Sequence, residues 1–364
     1  MSNNFQDPML EIIYQSLVKT PSKELQELLT NPATLMHHTD AMLEMDFGSE
    51  WGQPIIKQYQ PLHLDPATSS LHYGQSVFEG MKAYMLEDNR VALFRPLDHA
   101  MRFNRSAERI GLPKIPPAYF LELIEKFTQS QSHWVPKGKA TALYLRPLLF
   151  SANPSLLLSG NSRAKFILFG SPVGSLHSKP YIDLYVEAEL SRSSNNGTGN
   201  VKYSGNYGGT MNSAAIAKSK KCDQTLWLDG AKHKYVEELS GMNIFFVQSN
   251  NKKIKIITPT LGSTILPGIT RDSIMKLSRD LGYRVVEEKI SIEKLIERIK
   301  SGKVNEIFAT GTMIGVQGVS SINYKNKIYT LPKKDNSITN TLKTLLDEIK
   351  YGHSADNNNF MYKI

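Results

Sequence analysis

The chain has 364 residues, 40% of them hydrophobic and 21% charged, with a formal net charge of +9. That length predicts about two domains with ample buried cores, and the balance is that of an ordinary globular protein rather than a disordered or fibrous one. The single cysteine, Cys222, excludes an internal disulfide and a cysteine-ligated metal cluster, and it suits a reducing cytoplasm.

No run approaches the roughly 18 apolar residues of a membrane span. Residues 1–8 lack a basic segment followed by an apolar one, so they do not read as a signal peptide. The basic residues are scattered in short groups such as Lys218-Ser219-Lys220-Lys221, with no interleaved aromatics and no zinc-finger motif. They read as a solvated surface, not a nucleic-acid footprint. No repeat of solenoid or propeller period is visible.

In chain order, strands are expected over 76–84 and 90–94 around the turn Glu87-Asp88-Asn89. Pro96 opens a helix through Arg109 that Gly111 and Pro113 stop, and a second helix fits 118–130. The apolar runs 142–150 and 165–170 read as buried strands. Residues 171–180 read as a linker and 191–199 as a Ser/Asn/Gly loop. Beyond them come a helical run over 210–220, strands at 225–228, 244–247, 254–257 and 306–309, and a polar stretch at 354–359 expected to fray. The pattern predicts a small N-terminal α/β domain over 1–173, a linker over 174–186 and a larger domain over 187–364, with the active site expected between them.

The chemistry starts at Lys202, in Asn200-Val201-Lys202-Tyr203-Ser204-Gly205-Asn206-Tyr207-Gly208-Gly209 ahead of a helical run. Downstream lies Glu237-Glu238-Leu239-Ser240-Gly241-Met242-Asn243. A Schiff-base lysine needs a mobile, desolvated perch, and a pyridine ring needs a carboxylate at its nitrogen. Taken singly, each is an ordinary solvated charge, and Tyr207 an ordinary packing aromatic. Leu266-Pro267-Gly268-Ile269-Thr270-Arg271-Asp272 opens a helix whose N–H groups and threonine hydroxyl suit an anion, although Pro-Gly alone marks only a helix start. Arg102 can fork onto two oxygens, with Arg95, Arg105 and Arg109 as nearby alternatives. From the residues alone, Glu237 and Glu238 remain interchangeable.

Taken together, these segments resemble the fold-type IV aminotransferases that use pyridoxal 5'-phosphate, most closely the branched-chain amino-acid aminotransferases. The resemblance runs from about 52 to 352. It implies an α/β protein, an α+β small domain plus a larger pseudo-barrel domain, and a Schiff base between Lys202 and the cofactor. It places Glu238 on the ring nitrogen, because Glu238-x4-Asn243 keeps the family spacing, and Tyr207 on the phenolic oxygen. The phosphate falls to Arg102, Ile269, Thr270 and Thr312, and the substrate α-carboxylate to Thr312 and Met313. Tyr73 and Phe78, in Leu71-His72-Tyr73-Gly74-Gln75-Ser76-Val77-Phe78-Glu79-Gly80-Met81-Lys82-Ala83-Tyr84, would wall an apolar side-chain pocket. Tyr144 would extend that wall, and Arg146 would meet the distal carboxylate of glutamate.

The implied reaction exchanges the amino group of L-leucine, L-isoleucine or L-valine with 2-oxoglutarate, giving branched 2-oxo acids and L-glutamate. The resemblance further implies a homodimer, with Leu156-Leu157-Leu158 reaching the partner's site, while composition and motifs read as those of a cytoplasmic protein with no nucleic acid, membrane or metal among its partners. The chain departs from relatives at Ser175-Leu176, which bears on lid contacts, and at Met313-Ile314-Gly315-Val316-Gln317-Gly318, where no Cys-x-x-Cys redox switch can form. A D-amino-acid aminotransferase or aminodeoxychorismate lyase of the same fold is the alternative, disfavoured by Tyr144-x-Arg146 and Phe78-Glu79-Gly80-Met81-Lys82. A non-catalytic basic binding protein is the remote one.

Overall fold

The computed structural model describes residues 11–33, 35–158, 162–174, 179–250, 253–332 and 337–364. Residues 1–8 and the pair Ser175-Leu176 therefore lie outside the described residues. The chain forms two compact units, one of Met1–Ala83, Pro96–Gly174 and Ile364, the other of Tyr84–Arg95 and Ser175–Lys363.

The elements up to residue 173 are β1 (Ile13–Tyr14), α1 (Ser22–Thr30), β2 (Ala41–Phe47), β3 (Ile55–Gln58), α2 (Ser69–Tyr73), β4 (Ser76–Phe78), β5 (Met81–Met85), β6 (Val91–Phe94), α3 (Pro96–Arg109), α4 (Pro117–Ser130), β7 (Ala142–Ser151) and β8 (Ala164–Val173). In the first unit the sheet runs β1-β3-β2-β8-β7-β5, with β4 also paired to β7. Phe103 of α3, Phe120 of α4 and Phe166 of β8 meet with ring centroids 5.1, 5.9 and 6.0 Å apart. These rings close a helix layer on the sheet by apolar burial.

The strand expected over 76–84 is broken into β4 and β5 at Glu79 and Gly80. Two contacts explain the break. A Cβ on Gly80 would lie 1.8 Å from the Tyr144 hydroxyl, and Glu79 is buried on Arg102 and His99 instead of alternating along a strand.

The second unit continues with β9 (Tyr181–Glu187), α5 (Gly205–Gly208), α6 (Met211–Ser219), β10 (Gln224–Leu228), β11 (Val236–Leu239), β12 (Asn243–Asn250), β13 (Lys253–Thr258), α7 (Ile269–Asp280), β14 (Arg284–Glu287), α8 (Ile292–Lys300), β15 (Glu306–Gly311), β16 (Gly315–Tyr324), β17 (Lys327–Thr330), α9 (Ile338–Tyr351) and β18 (Met361–Lys363). Its sheet runs β11-β10-β9-β16-β15-β12-β13-β14 with β17 on β16. Parallel pairs (β9 with β10 and β16, β13 with β14) sit among antiparallel ones. Ser291 caps α8 by accepting from the Lys294 N–H, and Ile292, Leu295, Ile296 and Ile299 form its buried stripe. That stripe joins Ile244, Phe246, Ile307 and Ala309 in one core cluster.

The C-terminal stretch expected to fray is ordered. Asp356 accepts from the Met361 N–H at 2.7 Å, Phe360 is buried, and β18 pairs antiparallel with β6. A single apolar anchor at Phe360 outweighs the polar run before it. Among the described residues no helix is long and apolar enough to cross a membrane.

Candidate active site

Lys202 stands on a loop that one asparagine holds. Buried Asn206 donates through Nδ2 to the carbonyls of Thr198 at 2.7 Å and Val201 at 3.0 Å, and its Oδ1 accepts from the Thr198 hydroxyl at 2.7 Å. Lys202, itself half-buried, points its Nζ at the Tyr207 hydroxyl, 3.0 Å away. Amine and phenol thus sit together, Lys202 on the loop before α5 and Tyr207 within it.

Strand alternation resolves the adjacent glutamates, because successive side chains leave β11 on opposite faces. Glu237 accepts from the Thr264 hydroxyl at 2.5 Å. Glu238 accepts from the Leu266 N–H at 3.1 Å and Asn243 Nδ2 at 3.0 Å, and it pairs with Arg192 at 2.5 Å. Burial pushes its carboxyl up to about 7, against the pull of Arg192, the Leu266 N–H and Lys202. The protein's own donors therefore leave the Glu238 charge incompletely compensated. A further cationic N–H donor at this carboxylate would restore it.

Arg192 was absent from the candidates read off the sequence. Its Nη2 donates to the carbonyls of Gly199 at 3.0 Å and Thr264 at 2.5 Å as well as meeting Glu238. It lies in the Ser/Asn/Gly loop, where local pattern carries no hint of a partner 46 positions away, the interval from 192 to 238.

The start of α7 is tied to the same carboxylate. Asn243 Nδ2 also donates to the Leu266 carbonyl at 2.9 Å. Gly268 precedes the helix without a side-chain cap, and a Cβ there would lie 2.0 Å from Asn243 Oδ1. Only glycine permits this approach. Ile269 and Thr270 are both buried in the first turn, where main-chain N–H groups lack intrahelical acceptors and the helix dipole favours an anion. Arg271 beside them is committed elsewhere, to the Pro259 carbonyl at 3.0 Å and Glu287 at 2.7 Å. Thr312 and Met313 lie in the tight turn between β15 and β16, closed by Gly315 at φ 72°. The Thr310 hydroxyl before that turn is buried with no hydrogen-bond partner among the described residues.

The first unit holds the remaining candidates. Arg102 is buried against Glu79, with Nε to Oε1 at 2.6 Å and Nη2 to Oε2 at 2.8 Å, and His99 Nδ1 lies 2.7 Å from Oε2. Burial alone would raise the Glu79 carboxyl, but Arg102 and His99 outweigh it and hold the group far below the usual carboxylate range. Arg146 Cζ lies 4.8 Å from the Phe78 ring centroid and 5.3 Å from that of Tyr144, and Nη2 donates to the Tyr144 hydroxyl at 3.1 Å. Its Nε is buried with no hydrogen-bond partner among the described residues. Tyr73, more exposed, donates its hydroxyl to the Leu156 carbonyl at 2.6 Å. Phe78, Tyr144 and Arg146 are thus brought together, and Tyr73 is directed to the leucine loop.

The model for the family "Amino-transferase class IV" matches residues 76–322. A branched-chain-amino-acid aminotransferase of Mycolicibacterium smegmatis is 34% identical over 346 residues, covering 93% of this chain and 94% of that protein. The branched-chain-amino-acid transaminase 1 of Bacillus subtilis is 41% identical over 297 residues, 80% of this chain and 82% of its own. Among solved structures, the branched-chain aminotransferase of Thermoproteus uzoniensis with norvaline matches with a TM-score of 0.74 at 23% identity, over 89% of this chain and 99% of that one. The branched-chain amino acid aminotransferase of Thermobaculum terrenum in its PLP-bound holo form gives 0.70 at 21% identity, over 90% and 98%. The chain belongs to the class IV aminotransferases and, within them, to the branched-chain amino-acid aminotransferase family. Its mixed α/β fold is the fold-type IV architecture expected from the sequence, and its cofactor is pyridoxal 5'-phosphate.

The residues present fit that cofactor. An amine stands beside a phenol at Lys202 and Tyr207. A buried carboxyl at Glu238, held by Arg192 and Asn243, can accept from a ring N–H. A helix start at Gly268 carries no side-chain cap that would compete with a phosphate.

Proposed function

We propose that the protein transaminates L-leucine, L-isoleucine and L-valine with 2-oxoglutarate, releasing branched 2-oxo acids and L-glutamate. The observation that carries this reading is the second unit's cluster of Lys202 on Tyr207 with Glu238 on Arg192 and Asn243. Relatives at 34% and 41% identity that bear the branched-chain name support it. The bound cofactor supplies an electron sink for the pair left when the substrate Cα loses its proton. Lys202 would hold the cofactor through its amine, and, when free, its Nζ would serve as the base and acid that moves the substrate Cα proton. Tyr207 orients that amine through its hydroxyl. Glu238 keeps the ring nitrogen protonated, with Arg192 and Asn243 fixing the carboxylate.

We assign the phosphate to Ile269, Thr270 and Thr312, and to Arg102, whose guanidinium Glu79 holds in a bidentate pair. The α-carboxylate falls to Thr312 and Met313. Phe78 and Tyr144, with Tyr73 beside them, supply apolar walls for branched side chains. The otherwise unpartnered Nε of Arg146 offers a donor to the distal carboxylate of glutamate. Leu156, Leu157 and Leu158 are exposed at 58, 74 and 84%. Such a patch suits burial against a second copy of the chain in a cytoplasmic homodimer.

Titrating the purified holoenzyme with L-leucine, L-glutamate and D-alanine while following the cofactor absorbance tests the reading. L-leucine and L-glutamate should each convert the cofactor to its amine form, and D-alanine should not. Conversion by D-alanine alone would move the protein to the D-amino-acid branch of the fold.

A further inference from the structure

Arg95 lies outside the residues already assigned and is held from several sides. Its backbone has φ 50°, the left-handed region that an arginine rarely occupies. Residues held there persist only where their surroundings over-determine them. Arg95 is buried, and its Nη1 reaches three groups in the first turns of α7. These are the Ile269 carbonyl at 3.3 Å, the Ser273 hydroxyl at 2.9 Å and the Asp272 carboxylate at 2.7 Å.

The other side of Arg95 is held by the C-terminal segment. Its N–H donates to the Phe360 carbonyl at 2.7 Å, and its guanidinium lies 5.3 Å from the Phe360 ring centroid. Phe360 also packs on Phe94 at 5.6 Å, and Lys276 of α7 lies 5.9 Å from its ring centre. Asn358 donates to Asp280 at the far end of α7, at 2.8 Å. Residues 358–363 therefore run from the end of α7 to strand β6, with Arg95 clamped between them and the helix start.

We propose that Arg95 and the C-terminal strand form a strap that positions the first turn of α7, and with it the hold on the cofactor's phosphate. The inference rests on the phosphate assignment above and adds residues that touch neither cofactor nor substrate. Two physical effects act together. The strap fixes the direction of the Ile269 and Thr270 N–H groups. Arg95 also neutralises Asp272, whose carboxylate is held low, against burial, by hydrogen bonds from Arg95 and Lys276. Uncovered, that charge would stand next to an anion site and repel the phosphate.

The test compares pyridoxal 5'-phosphate with pyridoxal, which lacks the phosphate, in titrations of the resolved full-length protein followed by absorbance. Arg95→Gly is the informative variant, because glycine accepts the positive φ and the change removes the side chain without adding backbone strain. It should weaken pyridoxal phosphate binding about ten- to a hundredfold and pyridoxal by less than about threefold. Arg95→Lys should fall between it and wild type, and Phe360→Leu should lower the preference for the phosphorylated form in the same direction. Unchanged pyridoxal phosphate affinity, or equal weakening of both ligands, overturns the strap. If Arg95→Gly does not fold, Phe360→Leu decides: a reduced preference supports the strap and an unchanged one overturns it. A wild type without preference for the phosphorylated ligand would overturn the phosphate assignment itself. A wild-type preference that the variants leave intact overturns the strap alone.

Discussion

On the proposed assignment of Arg146 to the distal carboxylate of glutamate, the two amino-acid half-reactions separate at this residue. Glutamate must put a carboxylate where leucine puts methyl groups, so only glutamate depends on a cation there. Arg146→Met should slow the glutamate half-reaction about ten- to a hundredfold, the loss of one charge-assisted contact of ~1.5–3 kcal/mol, and leave leucine nearly unchanged. Single-turnover spectra with each amino acid measure both, and equal losses would assign Arg146 to structure or to the shared α-carboxylate. On the proposed assignment of Glu238 to the ring nitrogen, Glu238→Gln should cut turnover far more than cofactor retention, since it removes the charge that would keep that nitrogen protonated. Its neighbour gives the control: Glu237→Gln, on the opposite face of β11 against Thr264, should be mild. A crippling Glu237→Gln with a mild Glu238→Gln would shift the register by one. Lys202 and Tyr207 were legible as candidates because their segment carries spacing, whereas Glu238 was preferred to Glu237 only through the family resemblance. Arg192 was not legible, because an arginine in a polar loop acquires its meaning only from the carboxylate that the fold brings to it.

At the scale of elements, the informative position is the junction of β12 with α7. Asn243 holds Glu238 and the Leu266 carbonyl at once, and Gly268 leaves it the room. A methyl group at 268 must displace the Asn243 amide, so Gly268→Ala should cost about 1–3 kcal/mol of stability by overpacking. It should also release cofactor more readily than the thermal shift alone accounts for. Thermal melts and cofactor retention after gel filtration check this, and wild-type values in both would mean that the loop yields without consequence. The helix at α7 was readable from Pro267-Gly268 and the apolar positions behind it. The break between β4 and β5 was not, because it follows from the Tyr144 hydroxyl, contributed by the neighbouring strand β7, some sixty residues on in the chain.

For the whole molecule, Glu238 links stability to pH. Its carboxyl stands at 4.5 when unperturbed and at about 7 in the fold. Between those values the folded apoprotein holds a proton that the unfolded chain has released, so stability falls as pH rises through the interval. The interval corresponds to about 3 kcal/mol. Urea unfolding of the apoprotein from pH 5 to 8 should show wild type losing stability relative to Glu238→Gln. Cofactor bound as proposed, with its ring N–H at Glu238, should remove that difference. A constant gap between the two apoproteins across this range would mean that Arg192 alone compensates the charge.

The sequence by itself determined which chemistry the chain carries. A lysine among glycines, a Glu-x4-Asn spacing and a Pro-Gly helix start are local patterns, written within a few residues, and together they carry the resemblance to the family. It also determined most helices and strands, since amphipathic period and turn residues act over the same short range. The tertiary structure alone decided what depends on groups far apart in the chain. It chose Glu238 over Glu237 for Arg192 and Asn243, paired Arg102 with Glu79, and ordered a polar C-terminus by burying Phe360 against Arg95 and β6. Side-chain partners across long sequence separations are set by packing and desolvation, and neither leaves a mark in the local pattern.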